Sequence, residues 1–185
     1  GHGGVPVVRA ACIMTDKAKG SVHRPPTSIP GAGGFAVIGD PTGGVLAPIQ
    51  LGGPPPRDLG AASVPGLIAW NELVTSDPGL AAGFYTRVFG WTVQMIELTG
   101  SPYWIFRHNG EDVAGMIEAP ASPVPEQANW MVYFHVADAD AAAEKATSLG
   151  GAVLIPPFDV PTVGRCALIT DPNGVIFRIV RPEDE

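Results

Sequence analysis

The sequence predicts an α+β fold built from repeated modules in which one strand and one helix are followed by three strands. Two spacings indicate the repeats. Residues 20–50 match residues 151–181 at a constant offset of 131, with eleven identical positions and no gap. Asp77 and Asp138 lie 61 residues apart, as do Gly90 and Gly151. Similarity at fixed spacings is the mark of duplicated supersecondary units.

The first complete module is predicted over residues 66–118. Asp77 can cap a helix, Pro78 suits its first turn, and Gly90 can end it. Asn109-Gly110 is the dipeptide favoured in tight hairpin turns. The predicted elements are a strand at Leu67–Thr75, a helix from Asp77 to Gly90, and strands at Trp91–Leu98, Pro102–Arg107 and Val113–Glu118.

The second complete module is predicted over residues 128–182 and repeats that order. Its helix begins at Asp138 or Asp140 and ends at Gly150. A second turn signal, Asp171-Pro172-Asn173-Gly174, separates the last two strands. The predicted strands are Trp130–Val136, Ala152–Pro156, Arg165–Thr170 and Val175–Val180.

Residues 1–50 predict a truncated module that has part of the helix and the last three strands but no first strand. Gly1–Gly4 is set aside as a processing or cloning remnant, and a Pro/Gly-rich linker is predicted over 51–65. The last strand, Val45–Gln50, contains Pro48, which favours a sheet edge. The fragment can pack on the complete domain (66–185), take a strand from a second chain in a swapped dimer, or belong to a cleaved or partly deleted protein. We expect a homodimer or strand-swapped oligomer that covers the edge.

The composition and charge of the chain argue against several classes of partner. The chain has 185 residues and a formal net charge of −7, which argues against nucleic acid and anionic membranes as partners. No apolar run approaches the roughly 20 residues that span a bilayer. Cys12 and Cys166 form no metal-binding motif and suit buried free thiols in a reducing cytoplasm. A small-molecule ligand is therefore expected.

Two segments carry a family resemblance. WNELVTSD with FYTRVFGW, and PPFDVPTVGRCALITDPNG near the end, resemble the vicinal oxygen chelate superfamily of glyoxalases, bleomycin-resistance proteins and extradiol dioxygenases. The resemblance extends to the tandem glyoxalase-like proteins of actinobacteria, here with the first domain truncated. It implies paired β-α-β-β-β modules that form a curved mixed sheet around a cavity, preceded by a partial module.

The resemblance also implies where a metal would be bound. Metal-dependent members place ligands near the start of each first strand and on each last strand, and the matching positions are Trp70, Met131, Arg178 and Ala47. None of these side chains is a suitable ligand for a divalent cation, and arginine repels one. We therefore expect no metal and no cofactor.

Alternation along the strands predicts the candidate ligand-binding residues. If Trp70 and Met131 face the cavity, so do Glu72, Tyr133 and His135, and Arg178 joins them from the last strand. Trp70, Met131 and Tyr133 can also be plain core. Glu72 can form an ion pair with Arg178 or act on a ligand, and His135 can be structural or can act with Glu72 as an acid–base pair.

Four functions follow from this pattern. The first is metal-independent binding of a small aromatic molecule in the cavity. The second is a metal-free lyase, isomerase or hydroxylase-like enzyme that uses Glu72 or His135. The third is a divalent-metal-dependent enzyme whose ligands lie one residue away from the positions above. The fourth is a purely structural or interaction role.

Overall fold

Three helices and twelve strands are present in this computed structural model, which describes residues 6–54, 64–120 and 128–183. In chain order they are α1 (Pro6–Lys17), β1 (Ser21–Ile29), β2 (Gly33–Gly39), β3 (Val45–Leu46), β4 (Ile49–Leu51), β5 (Ile68–Thr75), α2 (Pro78–Phe89), β6 (Thr92–Leu98), β7 (Ser101–His108), β8 (Glu111–Glu118), β9 (Asn129–His135), α3 (Ala139–Ser148), β10 (Ala152–Val160), β11 (Gly164–Thr170) and β12 (Ile176–Pro182). Most of the predicted linker and all of Gly1–Gly4 lie outside the described residues. No described helix has the length and apolar character needed to span a membrane.

The ends of the helices follow the local signals in the sequence. The Asp77 carboxylate accepts a hydrogen bond from the backbone N–H of Leu80 at 2.8 Å, and Gly90 ends α2 in the left-handed conformation with φ +69°. Asp138 caps α3 in the same way, through the N–H groups of Asp140 and Ala141. These contacts explain why both helices begin where the sequence predicts.

The chain divides into two units. Unit 1 comprises residues 1–57, 73–96 and 102–130, and unit 2 comprises residues 58–72, 97–101 and 131–185. Strands β5 and β9 each contribute residues to both units. The core of unit 1 combines the truncated module with the first complete module, since Val8, Ile38, Leu73, Phe84 and Phe106 belong to one buried cluster. The truncated module therefore packs on the first complete module.

The four-stranded sheet of unit 1 is formed by the truncated module. Its order is β1-β2-β3, and β4 also pairs with β2. The pairs Ile38↔Leu46 and Phe35↔Ile49 belong to one antiparallel register, and the Ala36 N–H donates to the Pro48 carbonyl at 3.2 Å in that same register. Strands β3 and β4 are thus one strand, interrupted where Pro48 has no N–H to donate.

The hairpins β1–β2 and β10–β11 pair at equivalent positions 131 residues apart. Ser21↔Gly39 corresponds to Ala152↔Thr170, and Ile29↔Gly33 corresponds to Val160↔Gly164. Both hairpins have register shifts at the same two places, and a Pro-Pro pair lies at the second shift in each. Strand β10 continues to Val160, beyond the predicted end at Pro156, because the shift absorbs the prolines without ending the pairing.

The sheet of unit 2 contains β10, β11, β12, β9 and the first part of β5, in that order. Strand β12 pairs with β9 in parallel and with β11 antiparallel, so the sheet is mixed as predicted. One face packs under α3 through Ala143, Ala167, Ile169 and Ile179. The opposite face carries the predicted site residues.

Candidate functional site

The predicted site residues come from three strands of unit 2. Arg178 on β12 lies beside Tyr133 on β9, and Val180 lies beside His135. Because side chains alternate along a strand, Tyr133, His135 and Arg178 are on the face opposite α3. Trp70 and Met131 pack against Tyr133, Cys166 and Val180 in one cluster. We call this surface the candidate face; its members are Trp70, Glu72, Met131, Tyr133, His135, Cys166, Arg178 and Val180.

A buried polar cluster forms its centre. The Tyr133 hydroxyl donates to Glu72 Oε1 at 2.9 Å, and Arg178 Nη1 lies 3.2 Å from the same oxygen. The Arg178 guanidinium also donates to the Tyr133 hydroxyl oxygen and lies over its ring, 5.1 Å from the centroid. The Glu72 side chain is 4% exposed and that of Arg178 is 22% exposed. The carboxylate is thus held by a cation and a phenol, largely out of water.

In this geometry Glu72 forms an ion pair with Arg178, which is the structural role considered for it from the sequence. Glu72 and Tyr133 are 61 residues apart and occupy matching places in the two complete modules, so the repeated strands meet through these side chains. Among the described residues no hydrogen bond joins Glu72 to His135. The acid–base pair considered from the sequence is therefore not formed by direct contact.

Two buried nitrogens on the candidate face have no hydrogen-bond partner among the described residues. They are His135 Nδ1 and Arg178 Nε. His135 is 9% exposed. Leaving such groups unpaired costs free energy, and native structures satisfy nearly all of them. A ligand oxygen that accepts from Arg178 Nε would remove this cost.

Cys166 lies on the candidate face, although its surroundings in the sequence predict only a buried free thiol. Its neighbour across the ladder is Val180, one alternation step from Arg178, so strand register alone can place it there. Burial raises the pKa of its thiol to about 11; Arg178 opposes the shift, while Glu72 and Asp159 add to it. The thiol is consequently protonated at neutral pH and is a poor nucleophile.

The residues of the candidate face do not fit a divalent metal ion. Trp70 and Met131 occupy two of the positions that the resemblance gives to ligands, and Arg178 occupies a third with its cation on the Glu72 carboxylate. The described residues contain no group of three or more His, Cys, Asp or Glu side chains arranged to hold a metal. The Glu72 carboxylate of the candidate face is already engaged by the Arg178 guanidinium and the Tyr133 hydroxyl.

A concave surface lies on the face of the unit 2 sheet that packs under α3. This depression, of about 680 Å³, runs along α3 and is lined mainly by apolar side chains, among them Phe134, Leu149 and Phe177. It is large enough for a small molecule. No motif or strand alternation in the sequence predicts this depression, because it forms between a helix and the turn that precedes β12.

Arg165 on β11 lies in a surface ion-pair network. Its guanidinium contacts Asp140 at 2.5 Å and Asp159 at 3.1 Å. These pairs account for Arg165 without a ligand.

The family model described as the Glyoxalase/Bleomycin resistance protein/Dioxygenase superfamily matches residues 67–179. The chain belongs to this superfamily. The match covers both complete modules and every residue of the candidate face except Val180, so the resemblance found in the sequence is confirmed.

Curated relatives of this superfamily member cover most of the chain. The Mycobacterium tuberculosis protein CFP32, which bears the provisional name of a glyoxylase, is 40% identical over 166 residues, or 88% of this chain and 61% of its own. The Streptomyces peucetius anthracycline biosynthesis protein DnrV is 35% identical over 130 residues, or 63% of this chain and 47% of its own. The chain thus spans between about half and three fifths of the length of these relatives.

Solved structures of the superfamily support the fold. The Mn(II)-bound glyoxalase from Novosphingobium aromaticivorans superposes with a TM-score of 0.60 over 96% of this chain and 60% of its own, at 18% identity. The 2,3-dioxygenase LapB from Pseudomonas sp. KL28 gives a TM-score of 0.59 over 96% of this chain and 68% of its own, at 14% identity. At these identities the likeness concerns the fold alone.

Proposed function

We propose that this superfamily member binds a small aromatic molecule on the candidate face without a metal ion. The observation that carries the proposal is the unpartnered Nε of Arg178, buried beside the Glu72–Tyr133 cluster. A fully satisfied structural ion pair would leave no donor unused. The free N–H instead suits a ligand carbonyl, hydroxyl or phenolate oxygen.

The apolar part of the candidate face supports an aromatic ligand. Trp70 and Met131 are half-buried next to Tyr133, so a ring can gain stacking and sulfur contacts there. DnrV carries the name of a protein of anthracycline biosynthesis, and anthracyclines are polycyclic aromatic compounds. This similarity supports polycyclic quinones as the first ligands to test.

The metal-independent part of the proposal rests on residue chemistry. Arg178, Trp70 and Met131 occupy the positions at which the family resemblance places metal ligands. No step of the proposed function is therefore assigned to a metal. Elemental analysis of protein purified without chelator tests this point. A stoichiometric content of Zn, Fe, Mn or Ni would overturn it.

The binding experiment compares two variants with the unaltered chain. Titration calorimetry with anthraquinone-2-sulfonate and with daunorubicin should detect binding, and Arg178→Gln should weaken it by about tenfold or more because a charge-assisted hydrogen bond is lost. Leu149→Gln is the control, since Leu149 lines the depression on the opposite face. Circular dichroism confirms that both variants are folded at the temperature used.

Two results would contradict this assignment. No heat with any polycyclic aromatic compound would remove the ligand class. Weaker binding in Leu149→Gln with unchanged binding in Arg178→Gln would move the site to the depression along α3.

A metal-free enzyme is the second candidate, and the unpartnered Nδ1 of His135 favours it. A buried imidazole with one free nitrogen can exchange a proton with a bound substrate. If a substrate is found, His135→Gln should lower kcat at least about a hundredfold. Unchanged kcat would leave His135 in a structural role.

A further inference from the structure

The candidate face continues across β11 onto β10. Residues that pair directly on neighbouring strands lie on the same face of a sheet. Leu168 on β11 pairs with Arg178 on β12, and Ile155 on β10 pairs with Leu168. Phe158 on β10 pairs with Cys166, which is itself a member of the candidate face. Ile155 and Phe158 therefore extend this face onto its outer strand.

A register shift places Ile155 and Phe158 on one face. The two residues are three positions apart, so regular alternation would direct their side chains to opposite faces of the sheet. The pairing of β10 with β11 shifts between them, where the strand contains Pro156-Pro157. Such a bulge redirects the side chains that follow it. Both side chains consequently lie on the face that carries Arg178.

Both side chains are apolar and exposed, although the hairpin does not require apolar residues there. Ile155 is 43% exposed and Phe158 is 40% exposed. The matching hairpin of the truncated module has Arg24 and Thr27 at the equivalent positions, 131 residues earlier. There the Arg24 Nε donates to the Thr27 hydroxyl at 3.4 Å. Polar residues are thus compatible with this hairpin, so the apolar pair on β10 needs another explanation.

The polar and apolar parts of the face lie at opposite ends of one row of side chains. Arg178 on β12 has a buried Nε without a hydrogen-bond partner among the described residues. Leu168 comes next on β11 and is half-buried, and Ile155 follows on β10. Neighbouring strands are about 4.8 Å apart, so β10 lies about 10 Å from β12. A ligand whose oxygen accepts from Arg178 can therefore extend over Leu168 to the apolar pair.

We propose that Ile155 and Phe158 select ligands by length, favouring linear fused-ring compounds that extend from Arg178 to β10. This inference rests on the proposed function. A one-ring compound bound at Arg178 does not reach β10. A three-ring compound reaches it, covers the exposed Ile155 side chain and gains a ring contact with Phe158. The expected ligand class is a planar polycyclic compound with an oxygen acceptor at one end and an apolar ring at the other.

Chemical-shift titration of the isotope-labelled chain with two sulfonates tests the selection. Benzenesulfonate and anthraquinone-2-sulfonate offer Arg178 the same oxygens but differ in length. The three-ring compound should bind at least about tenfold more tightly and should shift the backbone amides of β12 and β10. Benzenesulfonate should shift those of β12 and leave those of β10 unchanged.

The double variant Ile155→Thr with Phe158→Thr removes the apolar pair and keeps residues that favour strands. Threonine is also the residue at the position equivalent to Phe158 in the truncated module. The variant should bind anthraquinone-2-sulfonate about tenfold more weakly and benzenesulfonate within about twofold of the unaltered chain. Val175→Thr is the matched control, because Val175 is 60% exposed just before β12. It should leave both affinities unchanged.

The outcomes separate this inference from the proposed function. If Arg178→Gln weakens the binding of anthraquinone-2-sulfonate and the double variant does not, the length selection is wrong and the proposed function stands. Equal weakening of both compounds in the double variant would also overturn the selection, since the apolar pair would then not act on length. If neither compound binds the unaltered chain, the proposed function fails and this inference fails with it.

Discussion

Arg178→Met isolates the value of the buried ion pair on the candidate face. Methionine keeps an apolar stem over the Tyr133 ring but removes the cation, so the Tyr133 hydroxyl is the one partner that the described residues leave to the Glu72 carboxylate. Breaking a buried pair costs about 3–5 kcal/mol. Arg178 contacts the carboxylate through one nitrogen at 3.2 Å and is 22% exposed, which favours the lower end, about 3 kcal/mol. The melting temperature should then fall by about 6–12 °C.

Urea unfolding at pH 7, followed by circular dichroism and tryptophan fluorescence, measures this loss of unfolding free energy. The double variant Glu72→Gln with Arg178→Met serves as the comparison, because its neutral amide still accepts from Tyr133 and no buried charge is left. It should be only about 1 kcal/mol less stable than the unaltered chain. A loss below about 1 kcal/mol for Arg178→Met, or equal losses in the two variants, would refute the reasoning.

Three further predictions concern other polar groups. Tyr85→Phe should lower the unfolding free energy by about 1.5–3 kcal/mol in urea titration, because the Tyr85 hydroxyl donates to the buried Asp40 carboxylate at 2.6 Å; a neutral result would show that water replaces it. Pairing with Arg165 lowers the pKa of Asp140, so its contribution to stability is present above the ordinary value of 3.8 and is lost as pH falls through the lowered value. Asp140→Asn should therefore destabilise the chain more at pH 7 than at pH 2.5, and 1 M NaCl should shrink the difference; equal effects at both pH values would contradict this. Ellman's reagent at pH 8 should label neither Cys12 nor Cys166 until urea unfolds the chain, since both thiols are buried and both have a raised pKa. Prompt labelling of one thiol in the folded chain would disprove its burial.

Local signals explain why the elements of the fold were predictable. Asp77, Gly90, Asn109 and Gly110 act through bonds and dihedral angles within a few residues, so their effect is visible in the sequence. The end of β10 was misplaced because proline pairs usually end strands. Here the hairpin register shifts past them, which depends on the partner strand and not on the local sequence.

The candidate face was predictable as a set of residue types but not as a set of bonds. Alternation placed Tyr133 and Arg178 on one face, since it needs only the strand period. Glu72 contacts Arg178 and not His135. Which of these contacts forms depends on how far the side chains reach across three strands. The position of Cys166 on the candidate face follows from the pairing of β11 with β12. The depression along α3 follows from how that helix packs on the sheet.

The register shifts at Pro25-Pro26 bear on how far the unit 1 sheet can grow. Strand β1 is the outer strand of this sheet on the side of β2 opposite β3 and β4, and its proline pair leaves that border without a regular row of donors. A border of this kind gives an added strand no continuous ladder of hydrogen bonds. The two prolines of β1 therefore protect this side of the sheet against edge-to-edge pairing with another strand.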